Sequence, residues 1–231
     1  MVNFNGALME QTSNSLSENR GFLFGDAVFE TFKIVDGRLL FVEDHYFRLM
    51  SAMRILRMEI PMNFTMEFIE QQILELVQTN GLQSSARVRM TVFRNSGGFY
   101  LPENNEVSYL IQCSALKSKQ YLFNSNQYEV DLFKDFFVTK QLLSTIKSTN
   151  KAIQITGSIF ANENGLQNCL LLNDSKNVIE ALNGNLFMLK SGKLSTPPIS
   201  EGCLNGIMRK QIFTISKSMG IEVTEEPVSP F

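Results

Sequence analysis

Lys147-Ser148-Thr149-Asn150 leads into an apolar run, Ile153-Gln154-Ile155-Thr156-Gly157-Ser158-Ile159-Phe160-Ala161, which Asn164-Gly165 closes. Leu170-Leu171-Leu172-Asn173 and Val178-Ile179-Glu180 follow. The run predicts a helix from about Lys151 to Asn164, stopped by Gly165. The two short apolar segments after it predict strands joined as a hairpin. A lysine, a helix, a hairpin and an acid set inside an apolar strand therefore frame this half of the chain.

Each member of that group has a plain reading. Lys147 alone is a solvated loop lysine. Glu180 shares its strand face with Val178 and Leu182, so it is either buried and paired or placed at a sheet edge, and taken alone the edge is favoured. A lysine becomes a nucleophile when its ammonium is desolvated or lies near another cation. A lysine amine and a carboxylate facing one flat heterocycle are the two groups that pyridoxal phosphate chemistry requires: the amine bonds the cofactor, and the acid keeps its pyridine nitrogen protonated. Two features suit a phosphate. Asn205-Gly206-Ile207-Met208 starts a helix whose first N–H groups can bind an anion, though a glycine at a helix start is a commoner thing than a phosphate cup. Arg48 follows His45 by three residues on one helix face, with pairing to Glu43 or Asp44 as its plain reading.

Composition restricts the alternatives. The chain has 231 residues, 44% hydrophobic and 19% charged, with a net charge of -2. That is room for one large domain or two modest ones, and it offers no electrostatic reason to expect nucleic acid or an anionic membrane. No apolar run reaches the length of a membrane span, and the N-terminus begins no signal peptide. Cys113, Cys169 and Cys203 lack metal-ligand or redox spacing, so a reducing cytoplasm is the expected compartment. His45 is the only histidine. Multi-histidine metal sites are excluded and no metal is expected, which leaves lysine, carboxylates, arginines and a cofactor to carry the chemistry.

The first half reads as strands, two helices, then strands. Ala27–Val35 sets Val28, Phe32 and Ile34 against Glu30 and Lys33. Asp36-Gly37 is a hairpin turn before a strand at Leu39-Leu40-Phe41-Val42. Asp44 caps one helix, stopped by Pro61; Thr65 caps a second, ended by Asn80-Gly81. Val88–Phe93 and Val107–Cys113 form an antiparallel pair. Residues 117–127 turn polar and read as a linker between domains at 1–116 and 128–231. Beyond it come strand-like Tyr128–Phe133 and Phe136–Val138, the Lys147 turn and its helix. Strands at 169–173, 177–182 and 185–190 follow, and a helix from about Gly206 to Met219. Ile221–Glu226 looks like a strand beginning. A domain ending on one half-paired strand exposes an edge, so a further C-terminal segment is expected.

Over nearly its full length, from Asn5-Gly6 to about Pro227, the chain resembles the fold-type IV pyridoxal phosphate enzymes: branched-chain aminotransferases, D-amino acid aminotransferases and 4-amino-4-deoxychorismate lyases. Arg20-Gly21-Phe22-Leu23-Phe24-Gly25-Asp26-Ala27-Val28-Phe29-Glu30 resembles the family's R-G-x-x-F-G-D-G-x-F/Y-E strand. His45–Leu49 matches H-x-x-R-L, and Lys147–Asn150 matches K-x-x-N. Asn185-Leu186-Phe187, Thr196-Pro197-Pro198 and Gly206-Ile207-Met208-Arg209 match N-[IL]-F, T-P-P and G-I-x-R. The resemblance implies an α+β, two-domain class IV aminotransferase fold like that of D-amino acid aminotransferase. The implied N-terminal α/β domain is the smaller, and the C-terminal domain is expected to have a barrel-like sheet whose last strands lie beyond the residues given.

The same resemblance implies residue roles. Lys147 would hold pyridoxal 5'-phosphate covalently and move the proton between substrate and cofactor. Glu180 would bond the pyridine N–H. Arg48 and the Ile207 and Met208 amides would hold the phosphate. Phe29 and Arg94 would face the substrate, with Asn185 structural. A homodimer with its site at the interface is implied too. Three departures bear on substrate. Lys151 stands where branched-chain enzymes have a tyrosine, and Phe29 lacks the hydroxyl of the D-amino acid enzymes. Asn205–Arg209 reads like the lyase version. The expected reaction is amino transfer from a small, mostly apolar amino acid to 2-oxoglutarate; the alternative is a lyase that releases pyruvate and 4-aminobenzoate from 4-amino-4-deoxychorismate.

Overall fold

The computed structural model describes residues 1–9, 18–122 and 126–230. The chain divides into two compact units, Met1–Phe123 with Lys147–Asn150, and Asn124–Ile146 with Lys151–Phe231. The four residues at Lys147 thus cluster with the first unit while the chain on either side belongs to the second. Part of the expected linker, residues 123–125, lies outside the described residues.

In the first unit, β1 (Val2–Phe4), β2 (Ala7–Met9), β3 (Ala27–Val35), β4 (Arg38–Leu39), β5 (Ser85–Arg94) and β6 (Val107–Ala115) form one antiparallel sheet in the order β2-β1-β6-β5-β3-β4. A short helix, α1 (Arg20–Phe24), precedes β3. The β3–β5 ladder runs unbroken from Ala27↔Phe93 to Val35↔Ser85. Asp36 (φ 48°) and Gly37 (φ 73°) make the predicted two-residue turn, its left-handed pair matching the twist of the strands. The strand expected after it ends early. Phe41 adopts φ 57° as the N-cap, and α2 (Val42–Ile55) begins at once. Asp44, expected as the cap, falls in the first turn, where with Glu43 its charge suits the helix dipole. The second helix, α3 (Met66–Thr79), is capped as predicted: Thr65 Oγ1 accepts the Phe68 N–H at 3.2 Å.

Alternation along the strands sorts the sheet's two faces. Val28, Phe32, Ile34, Val88, Met90, Val92 and Ile111 are buried on the face that α2 and α3 cover. Glu30 belongs to this face, at 1% exposure. The expectation that set it against Val28, Phe32 and Ile34 is therefore corrected, since positions two apart point the same way. Phe29, Thr31, Lys33, Arg87 and Arg89 lie on the other face.

In the second unit, β7 (Val130–Val138) joins two segments expected to be separate, with an irregularity between Phe133 and Val138. The chain crosses through α4 (Ala152–Glu163) to β8 (Asn168–Asn173), which lies parallel to β7, and returns antiparallel as β9 (Val178–Ala181) and β10 (Gly184–Asn185). A second sheet holds β11 (Met188–Lys190), β12 (Lys193–Thr196) and β13 (Val223–Glu225), with α5 (Ile207–Ser218) crossing between the parallel β12 and β13. Phe133, Leu171 and Ile179 form the core with Ile153 and Phe160 from α4. A bridge between Val178 and Val228 ties the chain after β13 to β9. Among the described residues no helix is long and apolar enough to cross a membrane, and no three His, Cys, Asp or Glu side chains gather to hold a metal.

Candidate active site

Lys147 is fixed by its backbone. β4 pairs only with the far end of β3, so the Ala27–Phe29 end has an open edge. Residues 147–149 fill it: the Phe29 N–H donates to Lys147 O at 2.8 Å, and the Thr149 N–H to Ala27 O at 3.0 Å. Asn150 Nδ2 donates to Gly25 O at 3.3 Å. Gly25 has φ 65°, and a Cβ there would lie 2.2 Å from Asn150 Oδ1, which explains a glycine opposite this asparagine. Docked this way, Lys147 carries its Nζ to 4.8 Å from the centre of the Phe29 ring. The Arg89 guanidinium carbon lies 3.8 Å from the same ring. One buried aromatic side chain, on the sheet face opposite α2 and α3, thus has an amine and a guanidinium beside it. Burial, then the neighbouring charge of Arg87, lower the pKa of Arg89.

On the covered face His45 and Arg48 converge on Glu30. Arg48 donates Nε–H to Oε1 at 2.7 Å and Nη2–H to Oε2 at 2.6 Å, and His45 Nδ1 lies 2.7 Å from Oε2. Arg48, expected to pair with Glu43 or Asp44, donates to this buried carboxylate, whose partner positions one helical turn apart supply both donors. Burial by itself would raise the pKa of Glu30; the hydrogen bonds from Arg48 and His45 more than reverse it, and the carboxyl is held below its ordinary range.

Arg94, expected with Phe29 to face the substrate, does not share a sheet face with Phe29. Alternation along β5 points it to the opposite face, where it is 6% exposed. Its donors are taken by Asp26, Asn105 and the carbonyls of Leu56 and Arg57. Asp26 Oδ2 also accepts Arg20 Nε–H at 3.0 Å, and Arg20 Nη1 in turn holds the carbonyls of Gly97, Gly98 and Phe99. These two arginines fasten loops. The cation beside Phe29 is Arg89, which the sequence did not single out, because its place depends on the β3–β5 register.

In the second unit Glu180 is 9% exposed, which settles the edge-or-buried alternative as buried. Its Oε2 accepts the Leu204 N–H at 2.9 Å. Asn185, the cross-strand neighbour of Glu180, donates to Leu204 O at 2.8 Å. Asn185 thus holds one end of the peptide segment whose other polar group orients the carboxylate. A Cβ on Gly206 would lie 2.0 Å from Asn185 Oδ1, so glycine is required for this approach. Lys151 precedes α4; burial lowers its pKa and the charge of Glu180 partly restores it. No side chain caps α5, so the N–H groups of Ile207 and Met208 stand at an uncapped helix start behind Gly206. Arg209 is buried in the same turn, and its Nε has no hydrogen-bond partner among the described residues.

The comparisons bear on what these groups serve. The model of the family described as amino-transferase class IV matches residues 27–231. The chain belongs to the class IV aminotransferases. A Methanocaldococcus jannaschii protein, provisionally named a branched-chain-amino-acid aminotransferase, is 29% identical over 229 residues, covering 99% of this chain and 78% of that one. The branched-chain amino acid aminotransferase structure from Thermobaculum terrenum in its pyridoxal phosphate form has a TM-score of 0.84 at 23% identity, over 99% of this chain and 76% of that one. A Legionella pneumophila structure provisionally named 4-amino-4-deoxychorismate lyase gives 0.83 at 22% identity, over 96% and 80%. At these identities the two structures establish the fold. The chain is a pyridoxal-phosphate-dependent aminotransferase of class IV.

The residues present fit that cofactor. In the first unit Lys147 offers an amine on a segment docked by its backbone; in the second, Glu180 offers a buried carboxylate aligned by a backbone N–H and Gly206–Met208 a helix start trimmed of side-chain bulk.

Proposed function

We propose that the chain transfers an amino group from a small, mostly apolar amino acid to 2-oxoglutarate, with Lys147 as the amine that holds the cofactor and then moves the substrate proton. The observation that carries this reading is the Phe29 ring with the Lys147 amine 4.8 Å and the Arg89 guanidinium carbon 3.8 Å from its centre. It offers an apolar surface for a side chain, a base for the α-proton and a cation for a carboxylate.

When bound, pyridoxal phosphate supplies an electron-withdrawing ring that stabilises negative charge at the substrate α-carbon. Glu180 would keep the ring nitrogen protonated, and the Leu204 N–H holds its carboxylate in one orientation. The Ile207 and Met208 N–H groups at the uncapped start of α5 would take the phosphate, and the family resemblance gives Arg48 the same role. Arg48 is anchored by Glu30, so its guanidinium is oriented in advance. The protein acts as a homodimer; sedimentation at micromolar concentration tests this, and a monomer that retains full activity refutes it.

A second reading is favoured by Lys151, which stands where the branched-chain pattern has tyrosine, and by the Asn205–Arg209 run: lyase action on 4-amino-4-deoxychorismate. One experiment separates the two. Purified protein loaded with pyridoxal phosphate is given L-leucine and 2-oxoglutarate, and separately 4-amino-4-deoxychorismate. Glutamate from the first supports transamination, while pyruvate from the second alone supports the lyase.

A further inference from the structure

Glu201 is a buried carboxylate that the proposed chemistry leaves unused. It ends a single 3-10 turn, Ile199–Glu201, and is 6% exposed. A charge in such a place needs partners. Its Oε1 accepts from Lys140 Nζ at 2.8 Å, and its Oε2 accepts from Asn173 Nδ2 at 2.7 Å and Asn177 Nδ2 at 2.8 Å. Asn173 Nδ2 also donates to the Glu201 carbonyl at 3.1 Å. Burial by itself would raise the pKa of Glu201; the hydrogen bonds from Asn177, Lys140 and Asn173 more than reverse it, and the carboxyl is held below its ordinary range.

These donors belong to the elements that position Glu180. Lys140 follows β7, and its backbone N–H donates to Asp174 in the β8–β9 turn at 3.2 Å. Asn173 ends β8, and its Oδ1 accepts the N–H groups of Ser175 at 3.0 Å and Asn177 at 2.9 Å, which closes that turn. Three residues after Asn177 comes Glu180, and three residues after Glu201 comes Leu204, whose N–H Glu180 accepts. Between Glu201 and Leu204 the chain turns at Gly202, φ 96°, and then reaches the start of α5 at Gly206. One carboxylate thus ties the foot of the strand that carries Glu180 to the foot of the loop that carries its backbone donor.

We propose that Glu201 is a positioning residue for the cofactor: through Asn173, Asn177 and Lys140 it holds the Leu204–Gly206 segment against β9, which keeps the Leu204 N–H on Glu180 and the α5 start in a fixed relation to that acid. The proposal deepens the cofactor reading and rests on Glu180 and the α5 start as cofactor groups. Glutamine cannot take the place of Glu201, because its NH2 would face donors that need an acceptor, and a buried donor left unpaired loosens the junction.

The test reads position as well as affinity. Wild-type and Glu201→Gln apoprotein are compared by amide hydrogen exchange, then titrated with pyridoxal phosphate by fluorescence, below the melting range of both. Residues 203–208 of the variant should exchange about tenfold faster, and pyridoxal phosphate should bind about fivefold more weakly. A double-mutant cycle with Asn185→Ala separates this from a purely structural role, since Asn185 acts on the same segment through Leu204 O. The two losses should overlap, the double variant binding less than about twofold more weakly than Asn185→Ala alone. Losses that multiply in full, or wild-type exchange and affinity in Glu201→Gln, overturn the proposal. If Glu201→Gln does not fold, Lys140→Met, at a side chain 33% exposed, carries the same test: faster exchange over 203–208 with weaker binding supports the proposal, and neither change overturns it. Wild-type apoprotein that takes up no pyridoxal phosphate overturns the cofactor reading and this proposal with it, whereas wild-type uptake with unchanged variants overturns this proposal alone.

Discussion

Replacing Glu30 with glutamine should be among the costliest single changes in the first unit. The carboxylate is 1% exposed and receives two hydrogen bonds from Arg48, at 2.7 and 2.6 Å, with His45 Nδ1 at 2.7 Å from Oε2. An amide preserves the shape but removes the charge, and it turns an NH2 group toward donors that need an acceptor. Breaking one partner out of a buried ion pair costs about 3–5 kcal/mol. For a chain of this size each kcal/mol moves the melting temperature by about 2–4 °C, so Glu30→Gln should lower the first unit's transition by roughly 10 °C or more. Thermal denaturation followed by circular dichroism, with urea titration at 25 °C, measures it. A loss under about 1 kcal/mol would show that the Glu30 cluster contributes no more than an exposed pair. The same cluster sets a pH dependence. Because the folded carboxyl titrates below its ordinary value of 4.5, its stabilisation is fully present above that pH and is lost as pH falls through the folded pKa. Glu30→Gln should lack this acid limb.

Three further outcomes can be measured. Asn185→Ala removes the hydrogen bond to Leu204 O and loosens the peptide that orients Glu180. It should weaken pyridoxal phosphate binding by about 1 kcal/mol, roughly fivefold, in a fluorescence titration of the apoprotein, and unchanged affinity would sink that role. Gly206→Ala places a methyl 2.0 Å from Asn185 Oδ1 and should cost about 1–3 kcal/mol of thermal stability, with wild-type melting as the contrary result. Burial, with Glu180 adding to it, pushes the Cys203 thiol up to about 11, and Cys169 is fully buried; iodoacetamide at pH 8 should therefore label the partly exposed Cys113 first, as read by mass spectrometry.

Much of this arrangement could be read from local patterns. The Asp36-Gly37 turn, the Thr65 cap and the α4 and α5 spans depend on neighbours in sequence, and each stands within a residue or two of where patterning places it. Lys147 and Glu180 were marked by their company in the chain. Other features depend on pairing that no local pattern contains. The β3–β5 register sends Arg94 to the covered face and puts Arg89 beside Phe29. Glu30 could have been placed by strict alternation from Val28, but its partners lie on a helix. The early end of β4 came from Phe41 accepting a left-handed backbone, which apolar patterning does not reveal.

The central claim is that Lys147 is the amine that holds the cofactor. Protein incubated with pyridoxal phosphate, reduced with borohydride, digested and sequenced by mass spectrometry should carry the pyridoxyl group on Lys147. Label on Lys151, the nearby lysine whose pKa burial lowers, or on no single lysine, would contradict the account.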